Sequence, residues 1–80
     1  MRTQDVIIAR IKTLLEENNL KLGTLATRSG VPPTTLKNIM YGNTLNTGIL
    51  TIKKLCDGFG ISLHYFFDTK EFKDIEQEIQ

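Results

Sequence analysis

A chain of 80 residues is long enough for one small domain, and a domain of that size must use every apolar stripe to build a sufficient core. Its 40% hydrophobic and 24% charged residues are typical of a globular protein. The longest apolar run, Val6 to Ala9, is far shorter than a membrane-spanning helix, and the first residues lack the apolar region and cleavage site of a signal peptide. We therefore expect a cytoplasmic protein with no membrane partner.

The formal net charge of +1 is unevenly distributed along the chain. Residues 1–42 carry six basic and three acidic side chains, a net charge of +3, whereas residues 43–80 carry four basic and six acidic ones, a net charge of −2. This asymmetry is typical of a protein that turns one face toward a polyanion and keeps an acidic region away from it.

The side chains that catalysis or metal binding requires are scattered. Cys56 is the only cysteine and lies at helical spacing from Ile52 and Phe59, which favours a small buried hydrophobe over a redox role. His64 is the only histidine, and its neighbours in the sequence are apolar or aromatic. The glycines stand singly and form no phosphate-binding loop. We expect no enzyme, no metal ion, no cofactor and no small-molecule ligand.

A first helix is predicted from Asp5 to Asn18. Asn18 and Asn19 are poor helix formers that tolerate a left-handed backbone, so they end the helix before Leu20 turns back into the core. The apolar positions repeat with the period of one buried helix face. They are Ile7, Ile11, Leu14 and Leu15, flanked by Val6 and Ile8.

The stretch from Lys21 to Gly42 predicts two short helices joined by a tight turn at residues 29–31. Gly30 suits the position after a helix end, where a left-handed backbone costs glycine nothing. In the first of these helices the apolar residues follow the i, i+3, i+4 spacing of a stripe packed on a core. They are Leu22, Leu25 and Ala26.

The second helix of this pair begins at Pro32 and Pro33, since proline fits the first helical position, and ends at Gly42. Its inward face is predicted to hold Leu36, Ile39 and Met40. Its outward face holds Thr34, Thr35, Lys37, Asn38 and Tyr41. Two short helices in this order form a helix-turn-helix, in which the second helix lies in the major groove of DNA.

Two further helices are predicted after a polar loop at residues 43–47. The longer, from about Gly48 to Gly58, is capped by Asn46 or Thr47, and its glycines mark its end. The shorter, from Leu63 to Phe67, is capped by Ser62. The inward stripe of the longer helix is predicted to be Ile49, Ile52, Leu55, Cys56 and Phe59. The short helix seals the core with Leu63, Phe66 and Phe67. No segment alternates as a strand does, so the chain is expected to be all-α.

The residues from Asp68 onward predict a sixth helix. Asp68 followed by Glu71 has the form of a capping box, and Phe72, Ile75 and Ile79 repeat at i, i+3, i+7. Such a narrow stripe either packs back on its own domain or pairs with a second copy of the chain. We favour pairing and take these three residues as a candidate dimerisation element.

The chain resembles the phage-repressor and Cro-like (XRE-type) helix-turn-helix domains, small bacterial or phage transcriptional regulators, over about residues 5 to 68. The resemblance implies a compact five-helix, lambda-repressor-like DNA-binding domain at residues 1–68, extended by a helix at 69–80. It implies sequence-specific binding of double-stranded DNA, transcriptional repression, and residues 32–41 as the recognition helix. The matching residues are Leu25, Ala26, Gly30, Val31, Thr35, Leu36, Ile39, Gly42, Leu50, Ile52, Leu55, Cys56, Gly60, Ile61, Ser62, Phe66 and Phe67.

The resemblance and the outer face of the second helix together assign candidate DNA contacts. Base edges are expected to meet Pro33, Thr34, Lys37 and Asn38, since lysine pairs with guanine, asparagine with adenine, and threonine packs on the thymine methyl. Phosphates are expected at Lys21, Leu22, Gly23, Thr35, Tyr41, Asn43 and Thr44. Tyr41 is equally compatible with a partly buried ring, and Thr35 with a bond to its own helix. Because one helix offers few specific contacts, we expect a homodimer on a palindromic operator.

A protein-binding module on a helix-turn-helix scaffold, such as an antitoxin-like partner, is the alternative function. It is favoured by the low net charge, by the Pro32–Pro33 start and by Leu22, where the resembled family usually has glutamine. The distribution of Lys21, Arg28 and Lys37 favours DNA instead.

Overall fold

The computed structural model describes residues 2–44 and 46–79, and this part of the chain contains six helices and no strand. They are α1 (Thr3–Glu17), α2 (Leu22–Ser29), α3 (Pro33–Met40), α4 (Ile49–Phe59), α5 (Leu63–Phe67) and α6 (Lys70–Lys73). The predicted all-α architecture of five helices and an additional C-terminal helix is confirmed. Of the predicted polar loop at 43–47, Leu45 lies outside the described residues, as do Met1 and Gln80. No helix in the described ranges combines the length and apolar character needed to cross a membrane.

Helices α1 to α5 surround a single apolar core, to which each contributes at least one buried side chain. The buried set contains no polar or charged residue other than the thiol of Cys56, whose pKa is raised by its burial. Removing these apolar side chains from water supplies most of the driving force for folding. The core consists of Ile7, Ile11 and Leu14 of α1, Leu25 and Ala26 of α2, Val31 of the turn that follows, Leu36 and Ile39 of α3, Ile52, Leu55, Cys56 and Phe59 of α4, and Phe66 of α5.

The end of α1 and the turn between α2 and α3 follow the sequence prediction. Asn19 adopts a left-handed backbone with φ of 53°, and Asn18 donates its side-chain amide to the Leu14 carbonyl oxygen at 2.8 Å. Gly30 is left-handed with φ of 72°, and its N–H bonds to the Ala26 carbonyl oxygen at 3.0 Å. Both breaks occur where a residue tolerant of positive φ is available.

The start of α4 differs from the prediction in two respects. Neither Asn46 nor Thr47 caps the helix, because Gly48 occupies the N-cap position and no side chain bonds there. Thr47 is instead held by Gln4 of α1: the Gln4 amide donates to Thr47 Oγ1 at 2.8 Å, and the Thr47 backbone N–H donates to Gln4 Oε1 at 3.3 Å. Ile49, predicted to be buried, is 56% exposed, because the first turn of α4 lies at the rim of an open groove beside Leu63.

Gly58 was also predicted wrongly, as a residue that ends the helix. It lies inside α4 and is buried, whereas Gly60, with φ of 75°, follows the last helical residue. A Cβ atom at position 58 would lie 2.9 Å from the Ser29 Cβ and 3.2 Å from the Leu25 Cδ1. The missing side chain therefore lets α4 approach α2 closely, and these two helices form the most extensive helix–helix contact in the described chain.

Helix α5 begins as predicted, and α1 holds its far end. Ser62 Oγ accepts a hydrogen bond from the Tyr65 N–H at 3.0 Å, so the predicted cap is confirmed. The Arg10 guanidinium donates to the carbonyl oxygens of Phe66 at 2.9 Å and Tyr65 at 3.0 Å, and lies 5.3 Å from the Tyr65 ring centroid. The sequence placed Arg10 only outside the buried face. In the structure it bonds two carbonyl oxygens in the last turn of α5, and that of Tyr65 also accepts from the Asp68 N–H at 3.4 Å.

The sixth helix is much shorter than predicted. Thr69, not Asp68, is its cap, and its hydroxyl accepts from the Phe72 N–H at 3.4 Å. Phe72 packs within its own chain, with its ring centroid 4.9 Å from that of Phe67 and 5.9 Å from that of Phe66. Continuing the helix would place Asp74 and Glu78 four residues apart on one face, where like charges repel. After Lys73 the chain leaves the helical path, and Ile79 is 87% exposed.

Candidate nucleic-acid interface

Helix α3 presents a polar outer face because its inner face is firmly anchored. Leu36 and Ile39 are buried, and Met40 packs against the core from its edge. This fixes the rotation of the helix about its axis and leaves the residues predicted to read bases exposed on the opposite side. The exposed set is Pro33, Thr34, Lys37 and Asn38, together with Thr35.

These side chains lie close together on the helix. Pro33 and Lys37 are four residues apart, as are Thr34 and Asn38, so each pair lies about one helical turn apart on the same face. Pro33 is the first residue of α3, where its missing N–H removes no helical bond. The predicted reading residues therefore form one patch that extends from Pro33 to Asn38 along an eight-residue helix.

The start of α2 offers backbone donors to an anion. Lys21 occupies the N-cap position and makes no side-chain cap, and the first helical bond comes from the Leu25 N–H to the Lys21 carbonyl oxygen at 3.1 Å. The N–H groups of Leu22 and Gly23 precede that bond and have no partner within the helix. The Leu22 side chain itself is half-buried against the core, so only its backbone N–H is available to a phosphate. The positive end of the helix dipole adds to the attraction.

The end of α3 brings further predicted phosphate contacts to the surface. Tyr41 is 73% exposed, so its ring is not among the partly buried ones. Gly42, with φ of 77°, reverses the chain, and the Asn43 N–H bonds to the Asn38 carbonyl oxygen at 2.9 Å. This pattern is a Schellman motif, which satisfies the last carbonyls of α3. Asn43 is exposed and Thr44 half-buried directly after it.

Basic and acidic side chains are separated more completely around α2 and α3 than the net charges of residues 1–42 and 43–80 indicate. Residues 18–56 contain five basic side chains and no acidic one, and they include α2, α3 and most of α4. One of the five, Lys53, forms an ion pair with Asp57 one turn later. A polyanion approaching α2 and α3 therefore meets no carboxylate from these helices. The gap between Glu17 and Asp57 is visible in the sequence and is a stronger signal than the net charge of each half.

Two contacts around the loop after α3 carried no local sequence signal. The reciprocal hydrogen bonds between Gln4 and Thr47 tie this loop to the start of α1. Arg2 precedes that helix start and forms an ion pair with Glu78 at 3.5 Å. These partners are 43 and 76 positions apart, so no spacing pattern along the chain relates them.

The fold and this surface together define a class of protein, the helix-turn-helix DNA-binding regulators. The helix-turn-helix family model matches residues 11–66, from within α1 to Phe66 in α5, so the chain belongs to this family. The resemblance to XRE-type helix-turn-helix domains is confirmed, and double-stranded DNA is the partner that this family binds.

A solved structure extends the similarity beyond the matched region. The chain is similar to the crystal structure of the prophage Lp1 protein 11, with a TM-score of 0.81 and 29% sequence identity over 94% of this chain and 100% of that chain. No curated protein sequence matches the chain.

Proposed function

We propose that this protein is a sequence-specific transcriptional repressor that inserts residues 32–41 into the major groove of double-stranded DNA. The observation that supports this most strongly is the exposed polar face of α3. It is held in position by buried Leu36 and Ile39 and lies within a stretch that has no acidic residue. Repression follows if the bound protein blocks access to the DNA it covers.

The base-reading roles follow from the chemistry of the four side chains in the patch. Asn38 is suited to a bidentate pair with adenine, and Lys37 donates to O6 and N7 of guanine. The Thr34 methyl group packs on the thymine methyl, and Pro33 offers apolar contact alone. All four are exposed in the free protein, so binding requires no rearrangement of the core to release them.

The phosphate contacts flank this patch on both sides. On one side Lys21 and the backbone N–H groups of Leu22 and Gly23 bind one strand. Beyond the other end of α3, the hydroxyl of Tyr41 and the polar groups of Asn43 and Thr44 bind the backbone. Thr35, exposed at the start of α3, donates its hydroxyl to a phosphate. These contacts set the orientation of α3 in the groove and carry no sequence information.

Affinity and specificity are proposed to come from a homodimer on a palindromic operator. One bidentate pair contributes about 1–3 kcal/mol of discrimination, and this helix has two side chains suited to such contacts. Two copies would read half-sites about 34 Å apart. Ile79, 87% exposed, and Ile75, half-buried, provide apolar surface for the second copy, and Phe72 anchors their segment on its own domain.

Selection of bound sequences from random duplex DNA, followed by variants, tests this function. Lys37→Ala and Asn38→Ala should relax the sequence preference, whereas Lys21→Ala should weaken binding to all duplexes alike. Lys12→Ala removes the same charge from an exposed position on α1 and is the matched control. Uniform losses in all three interface variants would show that α3 is not the reading helix. Sedimentation that finds a monomer at high concentration would contradict the dimer.

A protein-binding role is the second candidate, and an exposed apolar surface favours it. Ile49, Leu63 and Phe67 line an open groove of about 390 Å³, and Leu50 beside it is 76% exposed. Salt dependence separates the two functions, because phosphate contacts make affinity for random duplex fall steeply as salt rises. Absence of duplex binding even at low salt would contradict DNA recognition and leave the protein-binding role.

A further inference from the structure

The segment after α6 returns to the start of α1 and places a carboxylate there. Glu78 accepts a hydrogen bond from the Thr3 hydroxyl at 2.8 Å, and its other carboxylate oxygen lies 3.5 Å from an Arg2 guanidinium nitrogen. Thr3 is the first residue of α1, and Arg2 is its N-cap residue, which makes no side-chain cap. A carboxylate from the far end of the described chain thus sits where a long helix begins.

The groups that surround Glu78 favour an anion. The hydrogen bond from Thr3 and the positive charge of Arg2 hold the pKa of the Glu78 carboxyl below its ordinary value of 4.5. The first N–H groups of α1 have no partner within the helix and point in the same direction. Arginine, a hydroxyl and free backbone N–H groups are also the donors with which proteins bind the phosphates of DNA.

The start of α1 lies beside the loop that follows the recognition helix. Gln4 bonds Thr47 through both polar atoms of its side chain, three residues after the proposed phosphate contact at Thr44. A groove of about 720 Å³ separates the helix start from this loop. Its lining includes Arg2, Thr3, Asn46, Thr47 and Glu78, together with a second carboxylate, that of Asp5. The Glu78 carboxylate therefore lies in the wall of a groove that the loop after the recognition helix also lines.

We propose that Arg2 and Thr3 form an additional contact to the DNA backbone, and that Glu78 occupies this contact in the free protein and competes with the incoming phosphate. This inference rests on the proposed DNA-binding function. The acidic segment, residues 74–79 with Asp74, Glu76 and Glu78, then acts as an internal inhibitor that lowers affinity for all duplexes equally.

The contact of Glu78 with Arg2 and Thr3 can be displaced without disturbing the fold. The side chains of Arg2 and Glu78 are 50% and 60% exposed, so water and salt screen their attraction. A DNA phosphate presents the same kind of acceptor within a much stronger field of negative charge. Exchange of one acceptor for the other therefore needs no unfolding of the core.

The test compares Glu78→Gln with Glu71→Gln in the full chain. Glu71→Gln makes the same chemical change at an exposed position on α6 and controls for net charge. Glu78→Gln should raise affinity for selected and random duplexes alike, by about two- to fivefold at low salt and less at high salt. Equal gains from both variants would reduce the effect to net charge and overturn the inference.

Arg2→Ala completes the design as a double-mutant cycle. Alone it should weaken duplex binding and reduce the salt slope by about one phosphate contact. Combined with Glu78→Gln it should remove most of the gain from that variant, since the Thr3 hydroxyl but no guanidinium remains to be released. A full gain without Arg2 would overturn the inference.

The outcomes also separate this inference from the function on which it rests. Wild-type binding with a preference that depends on Lys37 and Asn38, but with no response to Glu78→Gln, would overturn the inference alone. Absence of duplex binding by every variant at low salt would overturn both.

Discussion

Two regions of the molecule use a short apolar stripe differently. One is the helix-turn-helix together with helix α4, and the other is the segment after Phe67. In α2, α3 and α4 the stripes are buried on one another, and the predicted helices form with nearly the predicted bounds. After Phe67 the stripe of three residues is divided. Phe72 packs on the domain, Ile75 is half-buried, and Ile79 is exposed.

The difference shows that helical periodicity predicts a helix only where the whole stripe finds a partner. Isolated short helices are marginal in water, and most of their stability comes from packing. Helix α6 is stable for the one turn that places Phe72 against Phe66 and Phe67. Beyond α6 the chain makes polar contacts with the rest of the domain, for example the hydrogen bond from Thr3 to Glu78.

The largest effect is expected from the core of the recognition helix. Leu36 is 0% exposed, so Leu36→Ala should lower the free energy of unfolding by about 2–5 kcal/mol through lost burial and the cavity left behind. Urea denaturation followed by circular dichroism measures this change. Lys37→Ala, at the next and exposed position, is the control and should change stability by less than about 0.5 kcal/mol. Similar losses from both would mean that α3 is not anchored through Leu36.

A smaller effect is expected where α4 meets α2. Gly58→Ala adds a Cβ atom 2.9 Å from the Ser29 Cβ, and the crowding should cost about 1–3 kcal/mol although alanine is the better helix former. Gly23→Ala in α2 is the matched control. Apart from the backbone of its own helix, its Cβ would meet no atom within 4 Å, and it should stabilise by up to about 1 kcal/mol. If Gly58→Ala also stabilises, the approach of the two helices is looser than the structure shows.

A still smaller loss of stability is expected at the contact between α1 and the loop after α3. Gln4→Ala removes two hydrogen bonds to Thr47 and should cost about 1 kcal/mol, since neutral bonds near the surface contribute little each. Hydrogen exchange should show faster exchange at the Thr47 amide and unchanged protection in α2. Exchange that rises equally in both places would indicate global destabilisation.

The smallest effect on stability is expected at the contact of Glu78 with Arg2 and Thr3. Glu78→Gln should leave the urea midpoint unchanged at neutral pH, because the contact is exposed and ties down a segment that adds little to the core. The pKa of Glu78 is lowered in the folded state, so the contact persists above the ordinary value of 4.5 and is lost as the pH falls through the lowered pKa. An NMR titration of the Glu78 carboxyl measures this directly. A midpoint at or above 4.5 would contradict the contact.

Much of the candidate interface followed from local patterns. The outward position of Lys37 and Asn38 is a consequence of the inward positions of Leu36 and Ile39, which a period of 3.6 residues fixes. The left-handed turn at Gly30 needed only a residue without a Cβ atom. Each of these features depends on neighbours a few positions away, so the local sequence is sufficient to predict it.

Other features depend on what lies across the fold. Ile49 has the spacing of a buried residue, but the core ends before it. From the sequence alone Gly58 resembles a helix terminator, but in the structure it is the close approach of Ser29 that requires a glycine there. Ser62 was recognised as a cap, whereas Thr69 was not, because Asp68 and Glu71 offered a plausible alternative that the tertiary path did not use.

By itself the sequence determined the all-helical class, the helix-turn-helix and the side of α3 that faces outward, because periodicity, proline and glycine act over a single turn. Only the tertiary structure decided that Gln4 supports the loop after α3, that Arg10 closes the end of α5, and that Glu78 reaches Arg2 and Thr3. Those contacts join residues 43 to 76 positions apart, and their partners are selected by the geometry of the packed core.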